Sequence, residues 1–435
     1  MKREKNNMNI YNNLIQKKGN IAIIGLGYVG MPLLVEFSKK LNVIGYDCDC
    51  EKVDNLKKTL NNNNLKITCD ASSLSEASVL IVAVPTPIKK DNTPDFSFLE
   101  QACKVIGENL RKQSIIIFES TVYPGITEGL CTSILENISG YKCGIDFKIA
   151  YSPERINPGD DEHSVKNVVK VVSAMDEDTL NIVKQLYELI VEAGVYCAEN
   201  IKIAEAAKVI ENIQRDVNIA LMNEASMILD GLDINMKSVI KAMNTKWNHL
   251  NFTPGLVGGH CIGVDPYYFS YLAYVNDKKA NLVNTARNVN DSVSIYIATK
   301  IKEYIKKHGA ELSSPTKIVV LGFAFKENCD DIRNTKVYDL VESLREDNFE
   351  IVVVDDVVSK EKVLRDYGIK INMLTDVYDA DIIVIAVPHN EYRVLAINDL
   401  VKMYNIRSQR KLLVDVKGVL EKEKIELNEI DYWSL

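Results

Sequence analysis

The chain has 435 residues, of which 46% are hydrophobic and 26% are charged. That length predicts two or three domains, and the composition is typical of an ordinary globular protein. A net charge of −8 gives no reason to expect nucleic acid or an anionic membrane as a partner, so local groups must hold any anionic ligand.

The cysteines and the N-terminal residues indicate the compartment. Nine cysteines are scattered from Cys48 to Cys329 without the spacing of a disulfide framework or of a paired zinc site. The basic N-terminal segment lacks the apolar run of a signal peptide, and no stretch of ~18 apolar residues occurs in the chain. We therefore expect a cytoplasmic protein that spans no membrane.

The first motif is a glycine-rich turn between a strand and a helix. In "NIAIIGLGYVGMPLL" a β-branched run meets Gly25, Gly27 and Gly30. The first glycine suits a tight turn, the second lets a pyrophosphate approach the backbone, and the third lets the helix pack closely on the strand. An acidic residue, Asp47, follows about 20 positions later at the end of a second strand, which is the context that a dinucleotide site requires. The alternative is a glycine turn without a ligand.

Asp47 favours NAD over NADP. Its carboxylate can accept hydrogen bonds from ribose hydroxyls, whereas a 2′-phosphate at the same place would meet like charge. Lys52 is a second candidate for contact with that ribose, and a solvated surface lysine is the alternative.

Further strands alternate with helices through the first half of the chain. They are predicted at residues 78–87, 114–120, 147–155, 167–173 and 194–198. This alternation predicts a mostly parallel, doubly wound sheet, in which ligand-contacting residues gather at the carboxyl ends of the strands. The segments "VPTP", "ESTVYPG" and "YSPERINPGD" all begin where a predicted strand stops.

A long helix separates two α/β halves. Residues 203–230 contain neither Gly nor Pro, and Gly231 is the predicted C-cap; such a helix would span ~42 Å. After more helical segments, a second α/β unit opens with "TKIVVLGFAFK" and lacks the three-glycine motif, so it is better suited to another nucleotide-like group than to a second NAD. The fold prediction is α/β: two Rossmann-like doubly wound domains, 1–200 and 306–435, joined by a helical domain, 201–305.

Three polar residues share one face of the long helix, because Lys208, Asn212 and Arg215 are spaced by four and three positions. The simplest interpretation is a solvated stripe in which Glu211 pairs with Arg215. The segment "GLVGGHCIGVDPYY" favours a different interpretation.

That segment surrounds Cys261 with glycines and places Asp265 four residues later. A structural cysteine is usually found among apolar side chains, whereas this one lies in a predicted loop with room for a substrate. A metal site of His260, Cys261 and Asp265 is an alternative that lacks a second ligand pair with recognisable spacing. His260 is a poor base for its neighbour, since adjacent side chains diverge; the Lys208 ammonium is a candidate for stabilising the thiolate.

Taken in order, the motifs resemble those of the UDP-glucose/GDP-mannose dehydrogenases, which oxidise the C6 alcohol of a nucleotide sugar to a carboxylate. The resemblance runs from about residue 20 to residue 420. It is carried by "GLGYVG", "VPTP", "ESTVYPG", "SPERINPGD", "KVIEN", "GGHCIGVDP", "ARNVND", "GFAFKEN", "DIRNTK" and "DVKG". Val264 replaces a lysine that UDP-glucose members usually carry, and "GGHCIGVDPYY" is most similar to members that use UDP-N-acetylhexosamines.

The resemblance implies catalytic roles. Cys261 would form a thiohemiacetal and then a thioester, Lys208 and Asn212 would stabilise an oxyanion, and Asp265 with Thr121 would orient a water. Glu154 would assist thioester hydrolysis; a capping or salt-bridged carboxylate is its alternative.

The resemblance also implies binding residues. The expected NAD contacts are Gly25, Gly27, Tyr28, Val29, Gly30, Asp47, Lys52, Pro85, Thr86, Thr121 and Arg333. The expected substrate contacts are Glu154, Arg155, Lys208, Asn212, Arg215, Gly258, His260, Arg287, Phe325, Lys326 and Lys417. Arg333 is assigned to the cofactor or to charge balance in the site, Lys417 stands where arginine is usual, and no metal is expected.

The implied substrate is UDP-N-acetylglucosamine or UDP-N-acetylgalactosamine, used for a surface polysaccharide, with UDP-N-acetylmannosamine and UDP-glucose as alternatives. A two-electron hydroxyacid or alcohol dehydrogenase and a silent NAD-binding regulator remain as other classes. Since family members commonly dimerise through the region of the long helix, a homodimer is expected.

The role of Asp47 leads to a test of cofactor choice. NAD is expected to be used in preference to NADP. Asp47→Ala or Asp47→Ser is expected to reduce the difference in kcat/KM between the two cofactors, because either change removes the charge that opposes a 2′-phosphate. The measurement is kcat/KM for both cofactors. Equal use of NAD and NADP by the unmodified protein would contradict the assigned role.

Overall fold

The computed structural model describes residues 10–435 apart from residues 61, 156–162, 346 and 348. The chain forms two compact units. The first contains the chain up to Glu211 together with Tyr267–Lys279, and the second contains Asn212–Pro266 and Ala280–Leu435. The last residues of the predicted "YSPERINPGD" segment lie outside the described residues.

The first unit is built on an eight-stranded sheet. Its strands are β1 (Asn20–Ile24), β2 (Asn42–Tyr46), β3 (Leu65–Thr68), β4 (Ala77–Val82), β5 (Ser114–Phe118), β6 (Phe147–Tyr151), β7 (Lys170–Ala174) and β8 (Val195–Cys197). The strand order is β3-β2-β1-β4-β5-β6-β7-β8, and the pairs are parallel except for β6 with β7. The order reverses between β1 and β4, which is where doubly wound sheets bind their ligands.

Helices cover both faces of this sheet. They are α1 (Gly30–Ser38), α2 (Cys50–Thr59), α3 (Ser97–Asn109), α4 (Thr132–Ser139), which follows a π-helical turn over Thr127–Cys131, and α5 (Glu177–Glu188). One apolar core contains Phe118 and Tyr151, and the core on the other face contains Phe37 and Tyr187. Because both faces are buried, the strands are almost continuously apolar, as parallel sheets require.

The long helix α6 runs over Ile201–Asp230 and has 30 residues, or ~45 Å. The predicted helix is confirmed. Gly231 follows its last residue, as predicted, and the residue in the left-handed region is Asp233, with φ 55°. The next helices are α7 (Met236–Met243), α8 (Asp265–Val275) and α9 (Asn281–His308).

The second unit repeats the same topology. Its strands are β9 (Lys317–Leu321), β10 (Glu350–Val354), β11 (Ile371–Asn372), β12 (Ile382–Ile385), β13 (Leu412–Asp415) and β14 (Asp431–Trp433). Their order is β11-β10-β9-β12-β13-β14, and every pair is parallel. The helices are α10 (Lys336–Arg345), α11 (Lys360–Tyr367), α12 (Asn390–Arg393), α13 (Ile397–Met403) and α14 (Lys422–Glu426). The predicted α/β class with two doubly wound sheets is confirmed.

A buried carboxylate ties the "ESTVYPG" segment to helix α6. Glu205 has no exposed surface and accepts hydrogen bonds from the backbone N–H groups of Gly125 at 2.6 Å and Thr127 at 3.0 Å. Burial raises the pKa of Glu205 to about 6. This contact fixes the chain that follows β5, where Thr121 lies.

The cysteines depart from the expectation in one place. Cys50 and Cys69 form a disulfide with their Cα atoms 5.4 Å apart, which their spacing in the sequence does not reveal. The other seven, including Cys261, are reduced thiols. Within the described residues, no helix has the length and apolar character needed to cross a membrane.

Candidate functional site

The glycine turn after β1 has the geometry of a phosphate cradle. Gly25 has φ +91°, and a Cβ there would lie 2.9 Å from the carbonyl oxygen of Ala83. A Cβ on Gly30 would lie only 1.8 Å from the carbonyl oxygen of Gly25, whereas one on Gly27 would meet no protein atom within 4 Å. The outer glycines are therefore needed for packing, and the middle one leaves its backbone open to a ligand. The site residues fit a bound dinucleotide.

Asp47 lies at the carboxyl end of β2, beside that turn. Its carboxylate accepts hydrogen bonds from the Leu26 N–H at 2.9 Å, the Asp49 N–H at 3.1 Å and the Lys52 Nζ at 2.7 Å. Burial raises the pKa of Asp47, but these hydrogen bonds outweigh it and the net shift is downward. The group is thus an anion at neutral pH, paired with the Lys52 ammonium.

The "VPTP" segment follows β4, next to the glycine turn. Helix α8 supports it, since the Tyr268 hydroxyl donates to the carbonyl oxygens of Thr86 at 2.9 Å and Pro87 at 3.2 Å. Tyr268 is fully buried and packs edge-on against Phe96. No sequence pattern indicates that this tyrosine positions the segment that contains Pro85 and Thr86.

Thr121 and Glu154 follow the next two strands, β5 and β6, so the first unit gathers its predicted site residues at one edge of the sheet. Arg155 hydrogen-bonds to the Glu211 carboxylate at 2.7 Å and to the Val169 carbonyl oxygen at 3.0 Å. A small cavity beside them is lined by Glu154, Arg155, Leu33, Ser164, Val165, Val168, Val169 and Lys170.

The polar residues of helix α6 are not a solvated stripe. Lys208 and Asn212 are 8% and 6% exposed, whereas Arg215 is exposed. Glu211 pairs with Arg155 rather than with Arg215. The helix therefore buries two of the three predicted polar residues, and the simpler interpretation is wrong.

Asn212 contacts the segment that contains the cysteine. Its amide nitrogen donates to the Asp265 carboxylate at 2.5 Å, and Asp265 is 2% exposed. Cys261 lies in a turn immediately before helix α8, where its carbonyl oxygen accepts from the Val264 N–H at 3.1 Å and the Asp265 N–H at 2.9 Å. The first turn of α8 thus links the cysteine backbone to the Asn212–Asp265 pair.

Close packing, which the sequence does not suggest, explains the glycines of residues 255–265, the cysteine loop. A Cβ on Gly258 would lie 2.6 Å from the Asn334 carbonyl oxygen, and one on Gly259 would lie 2.7 Å from the Phe325 ring. A Cβ on Gly255 would lie 3.2 Å from Lys417. The expectation that bare backbone chiefly makes room for a sugar therefore needs correction, because neighbouring protein groups fill this space.

His260 contacts an arginine–aspartate pair. Its Nδ1 lies 3.5 Å from the Asp331 carboxylate, and its Nε2 lies 3.3 Å from Arg333. Arg333 also donates to both oxygens of the buried Asp331, at 2.6 Å to Oδ2 and 3.0 Å to Oδ1. Burial raises the pKa of Asp331, but Arg333 and His260 oppose it and the pKa is lowered. Arg333 is thus engaged in charge balance next to the cysteine loop.

The second sheet has a glycine and an aspartate at the positions equivalent to Gly25 and Asp47, but other protein groups cover the aspartate. Gly322, with φ +89°, follows β9 as Gly25 follows β1, and Asp355 follows β10 as Asp47 follows β2. Asp355 is fully buried; it accepts from the Phe323 N–H at 2.6 Å and lies 3.1 Å from the His389 ring nitrogen. A carboxylate covered in this way cannot contact a ribose, whereas the Asp47 side chain is 11% exposed.

The predicted substrate cations of the second unit differ in their surroundings. Lys326 lies over the Phe325 ring, 5.7 Å from its centre, and Lys417 pairs with Glu327 at 2.5 Å. Arg287 is 2% exposed and binds the carboxylates of Asp216 at 2.5 Å and Asp291 at 2.6 Å. In this structure Arg287 therefore joins helices α6 and α9, and its contact with substrate stays a prediction.

Sequence patterns did not identify the buried amide pair of Asn223 and Asn290, which lies next to Arg287. Asn290 donates to Asp216 at 2.8 Å, and Asn223 donates to Asn290 at 2.8 Å. Asn223 also accepts from the Gly255 N–H at 2.7 Å and donates to the Gly255 carbonyl oxygen at 3.1 Å. These contacts fix the start of the cysteine loop. In the sequence, Asn223 stands within an apolar helical run and Asn290 within the motif "ARNVND".

Comparison with known proteins covers nearly the whole chain. Residues 19–191, 202–292 and 319–422 match the UDP-glucose/GDP-mannose dehydrogenase family as its NAD binding, central and UDP binding domains. Protein CapL of Staphylococcus aureus is 42% identical over 94% of this chain and 98% of its own length. UDP-N-acetyl-D-glucosamine 6-dehydrogenase of Pseudomonas aeruginosa is 40% identical over the same shares.

A solved structure of UDP-D-ManNAc dehydrogenase from Pyrococcus horikoshii agrees with the fold. It superposes with a TM-score of 0.85 at 28% identity, covering 95% of this chain and 98% of that one. The three matched domains, the phosphate cradle at Gly27 and the anionic Asp47 agree on NAD as the cofactor. The chain therefore belongs to the UDP-glucose/GDP-mannose dehydrogenase family and is an NAD-dependent oxidoreductase that acts on nucleotide sugars.

Proposed function

We propose that this enzyme oxidises the C6 alcohol of UDP-N-acetylglucosamine, or of its C4 epimer UDP-N-acetylgalactosamine, to the uronic acid for a surface polysaccharide. The observation that carries the proposal is the reduced Cys261 on a loop packed against Phe325 and Asn334 and tied to Asn212 through Asp265. The cytoplasm, where NAD and nucleotide sugars are made, is the proposed location.

A cysteine is useful because the alcohol must lose four electrons. NAD supplies the hydride acceptor, once for each of two oxidations. Between them the Cys261 sulfur adds to the aldehyde carbon to give a thiohemiacetal, whose oxidation leaves a thioester. Water then attacks the thioester carbon, the carbon–sulfur bond breaks, and the carboxylate and the Cys261 thiolate separate. The covalent bond keeps the reactive aldehyde on the enzyme.

The other proposed catalytic residues handle charge and protons. Lys208 and Asn212 would stabilise negative charge on the C6 oxygen. Asp265, held by Asn212 at 2.5 Å, and Thr121 would orient a water that takes the alcohol proton. Glu154 would accept a proton from the water that hydrolyses the thioester.

Local cations offset the diphosphate in an otherwise acidic protein. Lys326, Lys417 and Arg215 are the proposed charged contacts, because ammonium and guanidinium groups form strong hydrogen bonds to phosphate. The remaining proposed contacts of the substrate are Arg155, Gly258, His260, Arg287 and Phe325. Lys417 is already paired with Glu327, so it would act as part of that pair.

The acetamido group rests on the resemblance of "KWNHLNFTPGLVGGHCIGVDPYY" to members that use N-acetylhexosamines and on the names of the relatives. Those names include UDP-N-acetyl-D-glucosamine 6-dehydrogenase of Pseudomonas aeruginosa and of Salmonella typhi. Capsule-related names, such as that of CapL, favour a surface polysaccharide as the destination.

A homodimer is proposed from the exposed face of helix α6. Apolar residues recur there seven or eleven positions apart: Ile203, Ile210, Leu221 and Ile228 are 43%, 50%, 61% and 62% exposed. Spacings of seven, eleven and seven place them on one stripe, as in a helix that packs against another helix. A second copy of the same helix would cover this stripe symmetrically.

The stoichiometry of the reaction tests the covalent mechanism. Each sugar oxidised is expected to yield about two NADH and one carboxylate, because the aldehyde stays bound to Cys261. Cys261→Ala is expected to abolish acid formation, whereas Cys197→Ala, which removes a reduced thiol of similar exposure from β8, is expected to retain it. Release of free aldehyde at one NADH per sugar would instead indicate a two-electron dehydrogenase.

Substrate choice can be measured by NADH absorbance. The panel contains UDP-glucose, UDP-galactose, GDP-mannose and the three UDP-N-acetylhexosamines. The highest kcat/KM is expected for UDP-N-acetylglucosamine or UDP-N-acetylgalactosamine. A clear preference for UDP-glucose or GDP-mannose would overturn the proposed substrate but not the proposed chemistry.

The dimer can be tested by light scattering. The unmodified protein is expected to have twice the mass of the chain, and Leu221→Glu is expected to shift it towards the monomer, because it places a charge in the apolar stripe. Ile145→Glu changes an equally exposed apolar residue, 71% accessible, on the first unit and is the control. A monomeric unmodified protein at working concentration would refute the proposal.

A further inference from the structure

A buried charged cluster in the first unit contacts Pro153, the residue that precedes Glu154. Its members are Glu119 at the end of β5, Lys170 at the start of β7 and Tyr187 on α5; Glu119 and Tyr187 have no exposed surface and Lys170 is 6% exposed. The Lys170 ammonium donates to Glu119 at 2.5 Å, and the Tyr187 hydroxyl donates to the other Glu119 oxygen. None of the three belongs to the proposed catalytic set.

Lys170 connects this cluster to Glu154. Its ammonium also donates to the carbonyl oxygen of Pro153 at 3.2 Å, and Pro153 immediately precedes Glu154. Lys170 and Glu154 line the same small cavity. The ammonium therefore has a carboxylate on one side and the backbone that carries Glu154 on the other.

The second cation of that cavity is arranged in the same way. Arg155 forms an ion pair with Glu211 at 2.7 Å. Each of the two cations that line the cavity with Glu154 is thus held by a carboxylate from another element: Lys170 by Glu119 of the β5 end, and Arg155 by Glu211 of helix α6.

The charges in the cluster interact strongly because burial removes them from the screening of bulk solvent. Burial raises the pKa of Glu119, the Lys170 ammonium opposes this shift, and the negative charge of Glu154 adds to it. Burial, together with Glu119, raises the pKa of Tyr187 well above its usual range, so Tyr187 remains a donor. Removing one member of such a pair leaves an uncompensated buried charge, whereas replacing both by neutral groups of similar size is often tolerated.

We propose that Glu119 is a positioning residue for the hydrolysis step: by holding the Lys170 ammonium, it controls how much positive charge acts on the Glu154 carboxylate. This inference rests on the proposed function, in which Glu154 takes a proton from the water that attacks the thioester. A carboxylate that is drawn into an ion pair is a weaker base. Glu119 acts through Lys170 and does not touch the reacting atoms.

The structure gives different expectations for the two halves of the reaction. Both hydride transfers occur before Glu154 acts as a base, so they should not depend on Glu119. Hydrolysis should depend on it, because the water oxygen attacks the thioester carbon while one of its protons passes to Glu154, and the sulfur leaves as a thiolate. No further oxidant or reductant takes part in this last step.

The test is a pre-steady-state and steady-state comparison of Glu119→Gln, Lys170→Met and the double variant. In Glu119→Gln, the rapid formation of about two NADH per active site is expected to remain, and the steady-state rate to fall about tenfold. Only the rate of acid formation is expected to fall, because the Lys170 ammonium, no longer held by Glu119, then acts on the Glu154 carboxylate. The double variant removes both charges and is expected to recover to within about threefold of the unmodified enzyme.

The controls separate this role from folding and from the proposed function. Lys148→Met breaks a 2.7 Å salt bridge to Asp176 at the opposite end of β6. It is expected to leave both the rapid NADH formation and the steady-state rate unchanged. An unchanged steady state in folded Glu119→Gln, or a double variant no faster than that single variant, would overturn the role of Glu119 alone. If the unmodified enzyme forms no NADH with any UDP-N-acetylhexosamine, the proposed function fails and this inference fails with it.

Discussion

The cysteine loop lies so close to the second nucleotide-binding sheet that two of its residues can have no side chain. A Cβ on Gly258 would overlap the Asn334 carbonyl oxygen, and one on Gly259 would overlap the Phe325 ring. Real Cβ atoms essentially never approach other heavy atoms to 2.6 or 2.7 Å. The position of Cys261 is therefore fixed by the unit that matches the UDP binding domain of the family. Cys261 and the residues that match the UDP binding domain belong to one compact unit.

The same unit shows how a duplicated architecture acquires two functions. Both sheets have the same strand order around the first strand, and both place a glycine with positive φ and an aspartate at the ends of neighbouring strands. In the first sheet Gly27 leaves its backbone open and Asp47 keeps an accessible pair with Lys52. In the second, buried Ala324 takes the place of the second glycine, and His389 covers Asp355. Small changes at equivalent positions thus restrict the dinucleotide to the first sheet.

Local sequence patterns predict most of this fold, because the central strands are short β-branched runs with both faces buried. The weakest elements were not foreseen: β3, β11 and β14 are edge strands or short strands with mixed polarity. The outcome for helix α6 shows a second limit. The spacing of Lys208, Asn212 and Arg215 cannot reveal that two are buried and one is exposed, because that depends on tertiary contacts such as the one between Asn212 and Asp265.

Contacts between distant residues were the least predictable part of the site. Asp331 lies within "DIRNTK", yet nothing local shows that it holds Arg333 and approaches His260. The Glu119–Lys170 pair joins residues 51 positions apart, and Asn223 contacts Gly255 from a helix that precedes the loop. The family resemblance supplies the reacting residues, whereas these supporting contacts come only from the packing of the chain.

The central claim is that the sugar becomes covalently attached to Cys261, and peptide mass spectrometry of an acid-quenched reaction tests it most directly. The Glu154→Gln variant, incubated with NAD and UDP-N-acetylglucosamine, is expected to accumulate the thioester because its hydrolysis is slowed. The peptide that contains Cys261 should then carry the mass of one oxidised nucleotide sugar, and mild alkali or hydroxylamine should remove it. An unmodified Cys261 peptide in a variant that still forms two NADH per sugar would contradict the account.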